Sequence, residues 1–204
     1  MRVLPNTLGL AACAALLFPA HARELAVASV TPQGVACVFT KTCAVSPTDS
    51  YGIVKLFGNG GEGNLLTRTY PGLPGTPAAG LTGYSFHLDL SQTTALGSAN
   101  CVEKLIIDAG PVASLRYGPG GGTAEVFVVA GQGSAGLSSV TQSGAKITFT
   151  FAKPVCPIIS GAARARMTDC LYFGFAAKGV PAPARAQIIA SIDGTTADVR
   201  VPKH

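Results

Sequence analysis

The stretch YSFHLDL, Tyr84–Leu90, is the part of this sequence that most clearly indicates its fold. Its apolar residues alternate with Ser85, His87 and Asp89. A period of two is typical of a strand that buries one face in a core and turns the other face to water. The stretch KITFTF, Lys146–Phe151, repeats the pattern with Ile and Phe at every other position. Both stretches therefore predict half-buried β-strands.

Similar short segments recur along the chain, and turns rich in glycine and proline separate them. The further strand candidates are Leu25–Thr31, Val35–Thr40, Tyr51–Phe57, Asn64–Thr69, Cys101–Asp108, Val112–Tyr117, Thr123–Ala130, Lys146–Lys153, Cys170–Ala177, Ala186–Ile192 and Ala197–Val201. Gly58–Gly63 and Asp193–Gly194 predict hairpin loops between neighbouring strands. About 10–12 short strands joined by turns predict an all-β fold. We expect an antiparallel β-sandwich, Greek-key or jelly-roll-like, that disulfides staple together.

The N-terminus has the features of a secretory signal peptide. A basic residue, Arg2, precedes the apolar stretch Leu8–Phe18, and a small-x-small cleavage site follows at Ala20–Ala22. The apolar stretch is shorter than the roughly 20 residues that a membrane-spanning helix needs. We therefore predict that residues 1–22 are cleaved and that residues 23–204 form a single domain, with no transmembrane segment.

A second processing route remains open. The sequence Leu10–Cys13 is similar to a lipoprotein signal box, which would place a lipid on Cys13. Either route predicts an exported protein, periplasmic or extracellular.

The charge of the chain is low and uneven. Only 12% of the residues are charged, and the net charge is +5. Residues 145–204 contain eight Lys or Arg against three Asp or Glu, whereas residues 23–144 contain six against seven. A basic face attracts anionic surfaces, so an anionic glycan, a glycolipid or another envelope protein is the expected partner. Nucleic acid is not expected, because no basic run is interleaved with aromatic residues.

Five cysteines remain after signal cleavage, and in an exported chain they are expected to form disulfides. If Lys146–Lys153 pairs antiparallel with Cys170–Ala177, a register that joins Cys156 to Cys170 also sends both sets of phenylalanines to the core. The sequence therefore predicts a Cys156–Cys170 bridge. Cys37 and Cys43 are close enough in sequence for a short hairpin to bridge them. Cys101 is left as a buried thiol.

No constellation of residues predicts a catalytic, metal or cofactor site. The glycine loops lack the context of a phosphate-binding loop, and the two histidines outside the signal are too few for a zinc site. His87 and Asp89 share one face of a strand, which suits either a base with its orienting carboxylate or a surface ion pair. We expect no cofactor and no metal.

The candidate binding residues lie near the predicted bridge. The loop Pro157–Asp169 carries Arg164 and Arg166, and the strand after it places Tyr172 on its outward face. Stapling a loop lowers its entropy before it meets a partner, which favours binding. These three residues are therefore the predicted binding site.

The sequence predicts a secreted or periplasmic, non-enzymatic interaction or adhesion-type protein. It would present loops and a basic face to an anionic envelope or glycan partner. One alternative is a pilin-like subunit of a surface polymer, in which Leu25–Thr31 is an exchangeable edge strand. The plan loosely resembles that of bacterial pilin or surface-adhesin subunits, although Val199–His204 lacks the aromatic C-terminal strand of donor-strand pilins. The other alternative is a hydrolase that acts on envelope polysaccharide.

Overall fold

The computed structural model describes residues 22–55, 62–90, 101–117, 122–131, 133, 135–156, 172–178, 185–190 and 196–200. The rest of the predicted signal peptide, the binding-loop residues Arg164 and Arg166, and Cys170 lie outside the described residues. Within the described part the elements are β1 (Arg23–Glu24), β2 (Val27–Val30), α1 (Pro32–Phe39), β3 (Thr48–Lys55), β4 (Glu62–Pro71), β5 (Leu81–Asp89), β6 (Val102–Asp108), β7 (Leu115–Arg116), β8 (Thr123–Ala124), β9 (Val126–Val129), β10 (Leu137–Ser143), β11 (Lys146–Val155), β12 (Phe173–Lys178), β13 (Arg185–Ala190) and β14 (Thr196–Arg200).

The strands form a sandwich of two six-stranded sheets. Sheet 1 has the order β1-β10-β11-β6-β13-β14, and sheet 2 has the order β2-β9-β12-β5-β4-β3. The pairs are antiparallel except for β2 with β9, and β7 forms a small separate pair with β8. At one edge the N-terminal segment passes from sheet 1 to sheet 2, and at the other edge β14 lies against β3. The predicted all-β sandwich is confirmed.

The main core lies between the two sheets, and the alternation of the sequence decides which side chains enter it. Tyr84, Phe86 and Leu88 point inward from β5, while Ser85 lies on the outer face with a second cluster of buried residues. Ile147, Phe149 and Phe151, which alternate along β11, also point inward. Apolar side chains on one face of each sheet are removed from water together, which supplies most of the stabilisation of such a sandwich.

The predicted pairing of Lys146–Lys153 with Cys170–Ala177 is wrong. Strand β11 pairs with β10 and β6 in sheet 1, whereas β12 pairs with β5 and β9 in sheet 2. Both strands still point their phenylalanines into the core, because they face each other across it instead of lying side by side. Alternation fixes the face that a strand buries but leaves its hydrogen-bonded neighbour open.

The predicted bridge between Cys156 and Cys170 is wrong for the same reason. Cys156 is bonded to Cys101. Cys101 precedes β6 and Cys156 follows β11, and Val102 is the register partner of Val155 in these neighbouring strands. The disulfide therefore ties together the ends of two adjacent strands in sheet 1, and Cys101 is not the leftover thiol.

The second disulfide, Cys37–Cys43, is confirmed, but the segment around it is a helix and not the predicted strand Val35–Thr40. Thr31 caps the helix, because its hydroxyl accepts a hydrogen bond from the Gly34 N–H at 3.1 Å, and Pro32 occupies the first turn. This Thr-Pro pair is a known start signal for helices. The apolar residues then form one buried helical face.

The strands on either side of two predicted hairpin loops are paired: Lys55 is the register partner of Glu62, and β13 pairs with β14. Residues 58–61 and Asp193–Gly194 lie outside the described residues, and Glu62 and Gly63 of the first predicted loop belong to β4. Strand β10 was not predicted, because its sequence LSSVTQS is mostly polar. It forms a hairpin with β11 through Gly144, whose φ of 58° is the left-handed conformation that glycine adopts readily.

Candidate functional site

Helix α1 covers part of the outer face of sheet 2. Val35, Val38 and Phe39 of the helix belong to a second hydrophobic cluster together with Phe127 and Val129 of β9. The helix approaches the sheet closely, because a Cβ atom on Gly83 would overlap the Phe39 ring. A glycine in β5 is thus needed for this packing.

A cleft with a volume of about 240 Å³ opens between α1 and the outer face of sheet 2. Its walls come from α1, from the segment after the helix and from strands β4, β5 and β9, together with Tyr172 just before β12. Val45 and Pro47 contribute from the segment after the helix, close to the Cys37–Cys43 disulfide. The disulfide joins this segment back to α1, so two walls of the cleft are covalently connected.

Arg68 is the charged residue among those that line this cleft. Its Nε donates to both carboxylate oxygens of Asp49, at 3.0 Å and 3.2 Å, and the two residues are register partners in β4 and β3. Its Cζ lies 5.2 Å from the centroid of the Tyr172 ring, a distance typical of a cation–π contact. Tyr172 in turn stacks on His87 with ring centroids 4.4 Å apart. The guanidinium is therefore held by an ion pair and by a stacked pair of rings.

The two Nη groups of Arg68 are not used in this way. Among the described residues no side chain or carbonyl accepts a hydrogen bond from either of them. The Arg68 side chain lines the cleft and is 36% exposed. A guanidinium that is fixed in place and has unused donors is prepared to bind an acceptor group.

The floor of the cleft carries a pair of hydroxyls. The Tyr70 hydroxyl and Ser85 Oγ are 2.6 Å apart, and the Tyr70 ring stacks on Phe39 with centroids 5.5 Å apart. Burial raises the pKa of Tyr70, so its hydroxyl stays protonated near neutral pH. This pair can donate or accept hydrogen bonds but is not prepared to act as a base.

Beyond the cleft, strand β3 exposes two large apolar side chains. Tyr51 is 64% exposed and Ile53 is 55% exposed. Both lie on the same face of the strand as Asp49, because residues two apart in a strand share a face. Asp49 and Tyr51 of β3, together with Arg68 of β4 beside Asp49, are called the β3 rim from here on.

The structure brings together only part of the predicted site. Tyr172 does lie on the outer face of its sheet, where it lines the cleft, but Cys156 follows β11 in the other sheet. Arg164 and Arg166 stay predictions. Sequence reasoning missed Asp49 and Arg68. The available signal was that Arg68 stands between Leu66 and Tyr70 on one face of an alternating strand, where a charge is unusual.

In the part of the chain that the structure describes, no group of three or more His, Cys, Asp or Glu side chains is arranged to hold a metal ion. No helix among the described residues is long and apolar enough to cross a membrane. The chain matches no protein-family model, and comparisons with curated proteins and with solved structures also find no match. The two disulfides indicate an oxidising, exported compartment.

A second cavity, of about 350 Å³, lies at the opposite edge of the sandwich. Glu24–Val27 and Leu137–Val140 line it at the place where the N-terminal segment leaves sheet 1 for sheet 2. Leu25 is buried in the main core at this crossing. The N-terminal segment therefore completes the edges of both sheets.

Proposed function

We propose that this is a periplasmic or extracellular, non-enzymatic binding protein of the adhesion type, which holds an anionic glycan partner in the cleft beneath α1. The observation that carries the proposal is Arg68. Asp49 and Tyr172 fix its guanidinium, while its Nη donors face no acceptor among the described residues. Donors that are positioned in advance lose little conformational entropy when a ligand binds.

The rest of the cleft suits recognition of a sugar. Sugar-sized ligands bind through a few placed polar groups set among apolar and aromatic surfaces. The cleft offers the Tyr70 and Ser85 hydroxyls, and the exposed Tyr51 ring stands outside it on β3, two residues from Asp49. A hydroxyl-bearing ring would exchange its hydrogen bonds to water for hydrogen bonds to these groups.

The charge of the chain supports an anionic partner. The sequence carries a net charge of +5, and residues 145–204 by themselves carry eight basic residues against three acidic ones. A positive potential raises the encounter rate with acidic polymers and weakens as salt is added. The predicted binding residues Arg164 and Arg166 precede Tyr172 in the sequence, and they would add to this attraction.

Binding is favoured over catalysis by the chemistry of the groups in the cleft. A nucleophilic Ser85 would need a base within hydrogen-bond reach. Its partner is the Tyr70 hydroxyl, whose pKa is raised by burial and which therefore holds its proton.

The test is binding of the secreted, oxidised protein to heparin and to polygalacturonate at low salt. We expect retention that falls with salt, and at least a tenfold loss of affinity in Arg68→Gln. The matched control is Lys146→Gln, which removes one positive charge from an exposed site on sheet 1. Equal losses in both variants, or no retention of the parent protein on either polymer, would rule out the cleft as the binding site.

A specific observation favours a second candidate, a subunit of a surface polymer. The segment 23–30 pairs with β10 through β1 and with β9 through β2, so it closes the edge of both sheets. The corresponding segment of a second copy would fit the same place. Size-exclusion chromatography with light scattering tests this candidate, which requires a ladder of oligomers; a monomer at every concentration would contradict it.

A further inference from the structure

We propose that the cleft selects a sugar with a carboxylate on its ring, a uronic acid unit of an acidic polysaccharide, whose carboxylate binds the two Nη groups of Arg68. This inference rests on the proposed glycan-binding function and names the chemistry of the ligand. Three features of the β3 rim carry it: the guanidinium edge that no described residue occupies, the carboxylate of Asp49 beside the guanidinium, and the exposed ring of Tyr51.

The free edge of Arg68 favours a planar anion. Asp49 approaches the guanidinium at Nε, which leaves the edge formed by the two Nη groups. Two parallel N–H donors on one edge match the two oxygens of a carboxylate. The cation–π contact with Tyr172 keeps the guanidinium from turning this edge away.

Asp49 makes the site unfavourable for a bare, multiply charged anion. Its carboxylate lies beside the guanidinium, is 31% exposed and would repel a second negative charge brought close to it. The same oxygens accept hydrogen bonds from hydroxyl groups. A sugar acid presents hydroxyls next to its carboxylate, so it satisfies Asp49 and Arg68 together, whereas an inorganic phosphate or sulfate ion satisfies only Arg68.

Tyr51 gives the sugar ring a surface to stack on. It stands two residues from Asp49 on the same face of β3, a separation of about 6.6 Å along an extended strand. Its ring is largely exposed, and an aromatic face attracts the C–H face of a sugar ring while its hydroxyl remains in water. The carboxylate and hydroxyl contacts can therefore form at the cleft while the ring lies against Tyr51.

The size of the cleft limits how much ligand enters. Its volume of about 240 Å³ is below the range of roughly 300–1,000 Å³ that is usual for sites enclosing a drug-sized molecule. One sugar unit with its substituents suits this space, and the rest of a polysaccharide would continue over the exposed β3 rim.

The test compares ligands on the unaltered protein first. Calorimetry measures binding of the oxidised protein to oligogalacturonate, to oligomannuronate, to the methyl ester of each, and to the carboxyl-reduced neutral oligosaccharides. We expect at least one oligouronate to bind tenfold or more tightly than its methyl ester, because the ester keeps the ring but loses the anionic oxygens. Dextran sulfate, which carries sulfate in place of carboxylate, should bind more weakly than the preferred oligouronate.

Variants then test whether Arg68 causes the preference for the free acid over its methyl ester and whether Tyr51 contributes to binding of the sugar ring. Arg68→Gln should abolish the preference of acid over ester, and Arg68→Lys should restore less than half of it, because an ammonium lacks the two-donor edge. Tyr51→Ala should weaken binding of acid and ester by the same factor, while Tyr51→Phe should leave both unchanged. Far-ultraviolet circular dichroism and thermal unfolding check that each variant is folded.

The outcomes separate the two proposals. Equal affinity for acid, ester and neutral sugar overturns the uronic acid inference and the anionic character of the proposed partner, and it leaves only glycan binding in the cleft standing. Preference for dextran sulfate also overturns the inference. Binding to none of the sugars, charged or neutral, overturns both the inference and the proposed function.

Discussion

Phe149 and Phe173 meet across the core from opposite sheets, with ring centroids 4.8 Å apart and an angle of 51° between the ring planes. Both are fully buried. Phe86 completes the contact from β5, with its centroid 6.0 Å from that of Phe173. Strands β11 and β12 share no backbone hydrogen bonds in the described pairing. The contact between them is therefore made by side chains, and these rings are part of it.

A double-mutant cycle tests this inter-sheet contact. Phe149→Leu and Phe173→Leu should each destabilise the protein, and their combined effect should differ from the sum by about 0.5–1.5 kcal/mol in urea unfolding. Val38→Ala is the control partner for Phe149→Leu, because Val38 lies in the cluster on the outer side of sheet 2. That pair should be additive to within about 0.5 kcal/mol. Additivity of the two phenylalanine changes would contradict direct contact.

The cysteine pairing predicts one reactive thiol. Four of the five cysteines expected in the secreted chain are bonded as Cys37–Cys43 and Cys101–Cys156, so Cys170 has no partner left among them. Alkylation of the oxidised protein in denaturant should modify one thiol per chain, at Cys170, and five after reduction. Peptide mapping should give a fragment that joins Cys101 to Cys156. A fragment that joins Cys156 to Cys170 would instead restore the pairing predicted from the register.

Glu125 makes stability depend on pH at the N-terminal edge. Partial burial by itself would raise its pKa, but hydrogen bonds from Arg23 at 2.7 Å and from the Ala26 N–H at 2.8 Å outweigh burial and lower the pKa of Glu125 below 4.5. A group with a lowered pKa in the folded state stabilises the fold fully above its unfolded pKa. This stabilisation is lost as the pH falls from 4.5 through the folded pKa.

The test is unfolding of Glu125→Gln at two pH values. We expect a loss of about 0.5–1.5 kcal/mol at pH 7, because two solvent-screened hydrogen bonds to a charged acceptor are weakened. The difference from the parent protein should shrink as the pH falls below 4.5, because Glu125 itself becomes protonated as the pH passes through its lowered pKa. Glu62→Gln is the control, because Glu62 is exposed, and its effect should stay within about 0.5 kcal/mol. A difference that is constant from pH 7 to pH 3 would show that the ionised carboxylate is not the stabilising group.

Gly83 tests the fit of α1 on sheet 2. A Cβ atom at this position would overlap the Phe39 ring, so Gly83→Ala should destabilise the protein by about 1–3 kcal/mol and should weaken binding of the sugar probes as α1 moves. Gly122→Ala is the matched control, because no atom lies within 4 Å of the Cβ it would add. The control should be neutral or stabilising by up to about 1 kcal/mol. Equal stability of the two variants would contradict the close approach of helix and sheet.

The sequence determined the class of the fold and the side chains that enter the main core. In Tyr84–Leu90 and Lys146–Phe151 the period of two fixed the buried face of each strand before any partner was known. The loops Gly58–Gly63 and Asp193–Gly194 marked hairpins, because glycine-rich turns reverse the chain locally. These are properties of neighbouring residues, so a linear sequence is enough to predict them.

The sequence signal for α1 was present but was interpreted as a strand, and β10 had no clear signal. The apolar residues of Val35–Thr40 suit a strand or a helix, and the Thr31 cap decides for the helix. Strand β10 has few apolar residues, and its place in sheet 1, between the short edge strand β1 and β11, follows from its hairpin with β11.

Only the tertiary structure decided which strands are hydrogen-bonded neighbours. Alternation is satisfied whether two strands lie side by side or face each other across a core, so the sequence alone did not separate a Cys156–Cys170 bridge from Cys101–Cys156. The proposed binding cleft also depends on which strands lie side by side. Asp49, Arg68 and Tyr172 are far apart in the chain, and the order β3, β4, β5 and β12 in sheet 2 brings them to one face. The positions of these three residues depend on which strands pair and in what register. That pairing is selected by the free energy of burying the apolar faces of both sheets together, which no local stretch of sequence contains.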